Sequence, residues 1–259
     1  MEGIAVYGCA TPIRMHVARA MATYLKCPLY EEQKPAYRGG DSIVWGLIRG
    51  SPALIEATKA AGKNYYQLDN GYFGRNSYYR FTKNAFQQTA LKDRKPDRWE
   101  HIKKQHNLEL RPWKKDGSKV LFCLSTEWLY RFLGLDIATY RSKTLRRLRE
   151  VTKREIVVRE KDAVGPIEEA RKDAWCVVTH TSAVALDALR FGVPVFTTGL
   201  NPADPCALKD VTYIDSPVYP EREPVFWSLA YSQWLPEEMQ LGRAWEEVEC
   251  SEYSLATTP

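Results

Sequence analysis

His180, Thr181 and Ser182 stand where the apolar run Cys176-Val177-Val178 gives way to small residues, in the segment WCVVTHTSAVALDALRFGVPVF of residues 175–196. Hydroxyl side chains at such a point can cap free N–H groups. The same N–H groups, with the positive end of the helix dipole, attract a diphosphate. An unliganded serine cap has the same sequence, so the turn alone leaves both readings open. Asp69 follows the run Tyr65-Tyr66-Gln67-Leu68 and precedes Asn70-Gly71. A carboxylate at a strand end can take a proton from an attacking hydroxyl, although Asp-Asn-Gly is also ordinary turn chemistry. Ser125 and Thr126 close a further apolar run, and Arg159 and Lys161 close the next; those cations suit a diphosphate. A plain solvated turn fits Arg159-Glu160-Lys161 equally well.

These side chains need elements that bring strand ends together, and the chain alternates strand and helix signals as an α/β fold does. The pattern predicts strand 3–7, a helix from Thr11-Pro12 to about Leu25, strand 42–47, helix 51–61 and strand 65–68. Both helices open with a hydroxyl residue followed by proline, which fixes φ where the missing N–H costs nothing. A second alternation predicts strand 119–124, a helix from about Glu127, a basic helix 142–152, strand 155–159, helix 165–174, and then strand 176–178 with a helix beginning at Ser182. The unalternating run 176–178 suits a parallel sheet covered on both faces. In such sheets ligands gather outside the carboxyl ends of the strands, where all the residues named above fall.

The segment His180-Thr181-Ser182-Ala183, followed by Gly192-Val193-Pro194, resembles the C-terminal half of GT-B glycosyltransferases, and of capsule-type sugar transferases in particular. The resemblance covers under a tenth of the chain. It implies two facing Rossmann-like domains with C-terminal helices crossing back. The expected divisions are an acceptor domain at 1–73, a basic linker or helical segment at 74–117, a donor domain at 118–222 and crossover helices with a tail at 223–259. It implies that Thr181 and Ser182 contact nucleotide-sugar phosphates, and the strand-end reading sets His180, Ser125, Thr126, Arg159 and Lys161 beside them as donor contacts. Asp69 becomes the catalytic base. Acceptor contacts are then expected from Thr11, Arg14, Asn70, Arg75, Tyr78, Arg80 and Lys83.

With 259 residues, 44% of them hydrophobic, the chain can bury one large core or two small ones. No apolar run is long enough to span a bilayer. The first residues lack a basic-then-apolar leader, which predicts a cytoplasmic protein. Six scattered cysteines without a C-x-x-C pair fit reduced thiols better than zinc. No Asp-x-Asp follows a strand and no P-loop or complete G-x-G-x-x-G occurs, so neither a metal nor a resident cofactor is expected beyond the nucleotide sugar as co-substrate.

Charge is uneven: residues 71–120 hold 13 Lys and Arg against 5 Asp and Glu, whereas 121–259 hold 16 against 21. Tyr78, Tyr79, Phe81, Phe86, Trp99 and Trp113 interleave with the basic block, a mixture that suits phosphate contact and stacking. The preferred acceptor on this reading is a hydroxymethylated pyrimidine in phage duplex DNA, flipped out of the helix. The alternatives are a capsule or lipopolysaccharide glycan, a non-catalytic nucleic-acid-binding module and a nucleotide-sugar epimerase. The sequence is silent on the sugar, the nucleotide and the oligomeric state.

Overall fold

The computed structural model describes residues 3–8, 12–32, 34–47, 49–161, 163 and 165–250, the side chains of 12, 13 and 250 excepted. Thr11, an expected acceptor contact, lies outside the described residues. In chain order the first elements are β1 (Ile4–Tyr7), α1 (Pro12–Leu25), β2 (Leu29–Tyr30), β3 (Asp41–Trp45), α2 (Ser51–Ala60), β4 (Tyr65–Asn70) and β5 (Tyr79–Lys83). There follow α3 (Asp97–Gln105), β6 (Lys119–Cys123), α4 (Glu127–Phe132), α5 (Ile137–Val151), β7 (Glu155–Arg159), α6 (Ile167–Arg171), β8 (Ala174–Thr179), α7 (Val184–Arg190), β9 (Val195–Thr197) and β10 (Ala207–Leu208). The last described elements are α8 (Glu223–Ala230), β11 (Gln233–Trp234), α9 (Pro236–Gln240) and α10 (Arg243–Cys250).

Two compact units result, one of residues 1–86 with 232–259 and the other of 87–231. These divisions differ from the expected ones. Residues 74–117 form no separate linker: β5 belongs to the first sheet, and α3 packs into the second unit by laying Trp99 on Phe226 of α8 at 4.9 Å. The strand Tyr79–Lys83 escapes a reading based on polarity because its cations alternate with Tyr79 and Phe81, which are core residues.

In the first unit the sheet order is β11-β5-β4-β3-β1-β2, with β1 to β4 mutually parallel, β5 antiparallel to β4, and β11 antiparallel to β5. One face packs Val6, Ile43, Trp45, Tyr66, Leu68 and Phe81 against Val17, Met21 and Leu25 of α1 and against Met239 and Ala244. The returning C-terminal segment thus completes this core. Ser51 does not cap α2. Gly50 is the N-cap, and the Ser51 hydroxyl instead donates to the Trp45 carbonyl at 2.9 Å, fastening the helix to β3.

In the second unit all five strands are parallel in the order β10-β9-β8-β6-β7. Val120, Phe122, Cys176, Val178 and Phe196 form one face, against Tyr130 of α4 and Leu148 of α5. The other covers Ala185, Leu186, Ala188 and Leu189 of α7. Burial pushes the Cys123 thiol up to about 12 and the Cys206 thiol up to about 11, so both are protonated apolar fillers. Both units share one wiring. The first strand sits between the second and third, so successive crossovers leave in opposite directions and open a crevice outside the carboxyl ends of the first and third strands. In the second unit those strands are β6 and β8.

Candidate functional site

At this switch point the Thr179 hydroxyl donates to the Cys123 carbonyl at 2.8 Å, joining the ends of β8 and β6. Beyond β6, Ser125 is buried and Thr126 is the exposed N-cap of α4, its hydroxyl making no cap bond. Beyond β8 the backbone reaches His180, whose ring lies nearly parallel to Tyr130 at 5.7 Å and tilts against Tyr140 at 5.1 Å. His180 Nδ1 pairs with Thr198 Oγ1 at 3.0 Å, and that oxygen pairs with the Tyr140 hydroxyl at 2.7 Å. Gly199 completes the enclosure: a Cβ there would stand 2.6–2.8 Å from the imidazole atoms. Burial, and secondarily the charge of Lys209, hold His180 below its ordinary pKa. The ring is therefore neutral near pH 7, with one nitrogen donating and the other accepting.

Thr181 is 95% buried by its 5% exposure, and its hydroxyl has no hydrogen-bond partner among the described residues. An orphan buried hydroxyl costs about 1–3 kcal/mol, so a polar ligand atom at this position would recover a bond the fold leaves unmade. Ser182 does not start a helix. Helix α7 begins at Val184 with Ala183 as N-cap and no side-chain cap, and Ser182 Oγ accepts only a long 3.4 Å contact from the Val184 N–H. The turn is held from the following loop, where buried Asn201 donates from Nδ2 to the Ser182 carbonyl at 3.1 Å. Asp204 fixes Asn201 in turn. It accepts from the Asn201 N–H at 3.0 Å, from Thr197 Oγ1 at 2.7 Å and from Lys209 Nζ at 2.6 Å.

A cavity of about 530 Å³ opens on the other side of β6 from this turn, between the ends of β6 and β7. Ser125, Thr126, Trp128, Arg141, Glu160 and Lys161 are among its lining residues. Trp128 is 67% exposed, a flat aromatic surface beside hydroxyls and cations. Of the expected donor residues, Ser125, Thr126 and Lys161 meet in this cavity, and His180, Thr181 and Ser182 occupy the neighbouring strand end. Arg159 does not join them: its guanidinium donates to the Gly165 and Ala163 carbonyls of its own loop. Thr198, Asn201, Asp204, Tyr140, Trp128 and Arg141 were not singled out from sequence. Strand-end logic extended to β9 would have found Thr198, since it directly follows the Gly-Val-Pro strand.

In the first unit Asp69 and Arg80 sit opposite each other on paired strands, with Asp69 Oδ2 accepting from Arg80 Nη2 at 2.8 Å. Asp69 Oδ1 accepts from the Asn70 N–H at 2.7 Å. A carboxylate offers about four lone-pair sites, so both oxygens retain acceptor capacity. Arg80 is 7% exposed and flanked by Tyr72 and Phe86, which makes it a structural partner of Asp69. Lys83 pairs with Glu249 at 2.9 Å, Tyr78 is buried, Arg14 lies over Trp45 at 5.3 Å, and Asn70 and Arg75 sit at and just beyond the end of β4. Four of the six aromatics expected to stack from the basic block are closed to a ligand. Tyr78, Tyr79, Phe81 and Trp99 are at most 2% exposed, while Trp113 is half-buried, donating from its indole N–H to the Pro220 carbonyl. Among the described residues no three His, Cys, Asp or Glu form a cluster able to hold a metal, and no helix is long and apolar enough to cross a membrane.

No family model matches the sequence, and a search of curated proteins finds no relative. Solved structures do match. The chain is similar to the beta Kdo 2,7 transferase of KpsC from Thermosulfurimonas dismutans, with a TM-score of 0.56 and 13% identity over 94% of this chain and 99% of that one. It is also similar to the beta Kdo 2,4 transferase of the same protein, with a TM-score of 0.51 and 12% identity over 91% of this chain and 93% of that one. At such identities the likeness is one of fold, and this protein has the Rossmann-like α/β fold of those glycosyltransferases.

Proposed function

We propose that this protein is a glycosyltransferase that takes a sugar from a nucleotide sugar and joins it to a hydroxyl of a glycan, the sugar being an acid of the Kdo type. The observation that carries the reading is the match to two Kdo transferases along nearly the whole chain. The orphan Thr181 hydroxyl at the β6/β8 switch point supports it independently.

On this reading the donor phosphate lies at the ends of β6 and β8. Thr181, Ser182, Ser125 and Thr126 supply hydroxyls and backbone N–H groups, and Lys161 supplies positive charge as the glycosidic bond to phosphate breaks. Trp128 offers its face to the flat nucleobase. Asp69 is the proposed base for the acceptor hydroxyl, with Arg80 fixing its orientation. A DNA acceptor finds no support among the neighbours, and the burial of Tyr78, Tyr79, Phe81 and Trp99 weakens the stacking argument for it. The glycan alternative therefore takes its place.

The test is incubation with nucleoside mono- and diphosphate sugars, Kdo-type donors included, and a panel of saccharide acceptors, with products weighed by mass spectrometry. A sugar increment on a glycan supports the reading. An increment only on DNA, or isomerised donor without any acceptor, contradicts it.

A further inference from the structure

The cavity at the ends of β6 and β7 does not stop at the strand ends. Ala138 and Arg141 line it, and the same two residues line a shallow groove of about 440 Å³ along the outer face of α5. That groove continues through Ser142, Leu145, Arg146 and Arg149, spaced by three and four residues and so on one side of the helix. Half-buried Leu145 gives it an apolar floor against the core.

The walls are cationic and partly unneutralised. Arg141 stands 4.0 Å from Glu160, and Glu150, the one carboxylate in the groove, faces Arg147 at 3.3 Å. Exposed Lys143, Arg146 and Arg149 have no hydrogen-bond or ionic partner among the described residues. Five cations on one 15-residue helix repel one another at a cost that a bound anion would relieve.

We propose that this face of α5 is a track for an acidic saccharide chain, whose carboxylates meet Arg141, Arg146 and Arg149 while its rings lie over Leu145 and Ala138. The inference rests on the glycan reading above and adds where the charged polymer runs. The dimensions favour a single strand. Arg141 to Arg149 spans roughly 12 Å at 1.5 Å per residue, matching a short run of linked rings. A duplex-binding surface engages about six to ten phosphates over both strands, which one row of cations cannot reach.

The test measures binding without donor or turnover, so it fails or succeeds independently of the catalytic reading. The full chain is titrated with short oligomers of galacturonic acid, with neutral maltooligosaccharides, with single-stranded oligodeoxynucleotides and with phosphatidylglycerol vesicles. The uronic acid oligomers should bind, weaken steeply with added salt, and lose about tenfold or more in affinity in the R146E/R149E double variant. R146K/R149K, which keeps the charge, should retain most of the affinity, and unchanged thermal melting of both variants shows that the fold is intact. Equal affinity for the neutral oligomers, undiminished binding by R146E/R149E, or tighter binding of DNA or vesicles through these residues overturns the track.

Discussion

The Thr179 hydroxyl reaches the Cys123 carbonyl at 2.8 Å, a side-chain tie added to the β6/β8 ladder at the strand ends where the proposed donor site lies. Both groups are buried, so Thr179→Val leaves a carbonyl without that donor and should cost about 1–2 kcal/mol of stability. Chemical denaturation measures the loss. Nucleotide affinity should fall in the same variant, and unchanged affinity would show that this tie is immaterial to the site.

Thr181→Val separates fold from function. Removing an orphan hydroxyl in favour of an isosteric methyl should leave stability equal or higher, by up to about 1 kcal/mol. Loss of one ligand hydrogen bond should weaken nucleotide binding by about fivefold to tenfold. Denaturation midpoints and calorimetric titration read the two effects. A destabilised variant with undiminished binding would assign the hydroxyl to the fold.

Asp69 carries two roles that different substitutions separate. Asp69→Ala strands the buried Arg80 guanidinium and should destabilise by about 2 kcal/mol, less than the 3–5 typical of fully buried pairs because the Asp69 side chain is 22% exposed. Asp69→Asn keeps a hydrogen-bond acceptor for Arg80 but cannot take a proton. If Asp69 is the base, kcat should fall by about 10²–10⁴ in the folded Asn variant. Near-normal turnover there leaves Asp69 a purely structural residue.

His180 predicts a pH signature. Its pKa in the folded protein lies below the ordinary 6.5, chiefly through burial. On acidification the unfolded chain therefore takes up the proton before the native one does. Stability should fall as pH drops below about 6.5 and level off once the folded pKa is passed. His180→Phe keeps a ring against Tyr130 and should flatten this slope in thermal melts between pH 5 and pH 7. Gly199→Ala is a companion test, since its Cβ would displace the imidazole from Thr198 and should reduce nucleotide affinity.

Much of the fold was legible because apolar runs and proline-started helices mark their own boundaries, as β7 shows at Glu155–Arg159. What escaped depended on tertiary context. Strand β5 pairs its cations with partners from elsewhere, Arg80 with Asp69 and Lys83 with Glu249, so its composition imitates a solvated loop. Ser51 and Ser182 look like caps but hold carbonyl bonds, Ser51 as donor and Ser182 as acceptor, with residues far along the chain or across a loop. The Thr-His-Thr-Ser turn was legible as a strand end. Asn201 and Asp204, which hold it, sit in a loop whose polar residues announce nothing until β9 places them. Gly192 was legible only as part of a motif. Its φ of +75° and the 2.0 Å that would separate a Cβ from the Pro112 carbonyl show why no larger residue fits.

The most direct test of the central claim is calorimetric titration of the purified protein with nucleoside mono- and diphosphates, repeated on Thr181→Val and Ser182→Ala. The account predicts saturable binding by the parent protein that weakens in both variants while their melting temperatures hold. Binding indifferent to both substitutions, or no binding of any nucleotide, would contradict a donor site at the ends of β6 and β8.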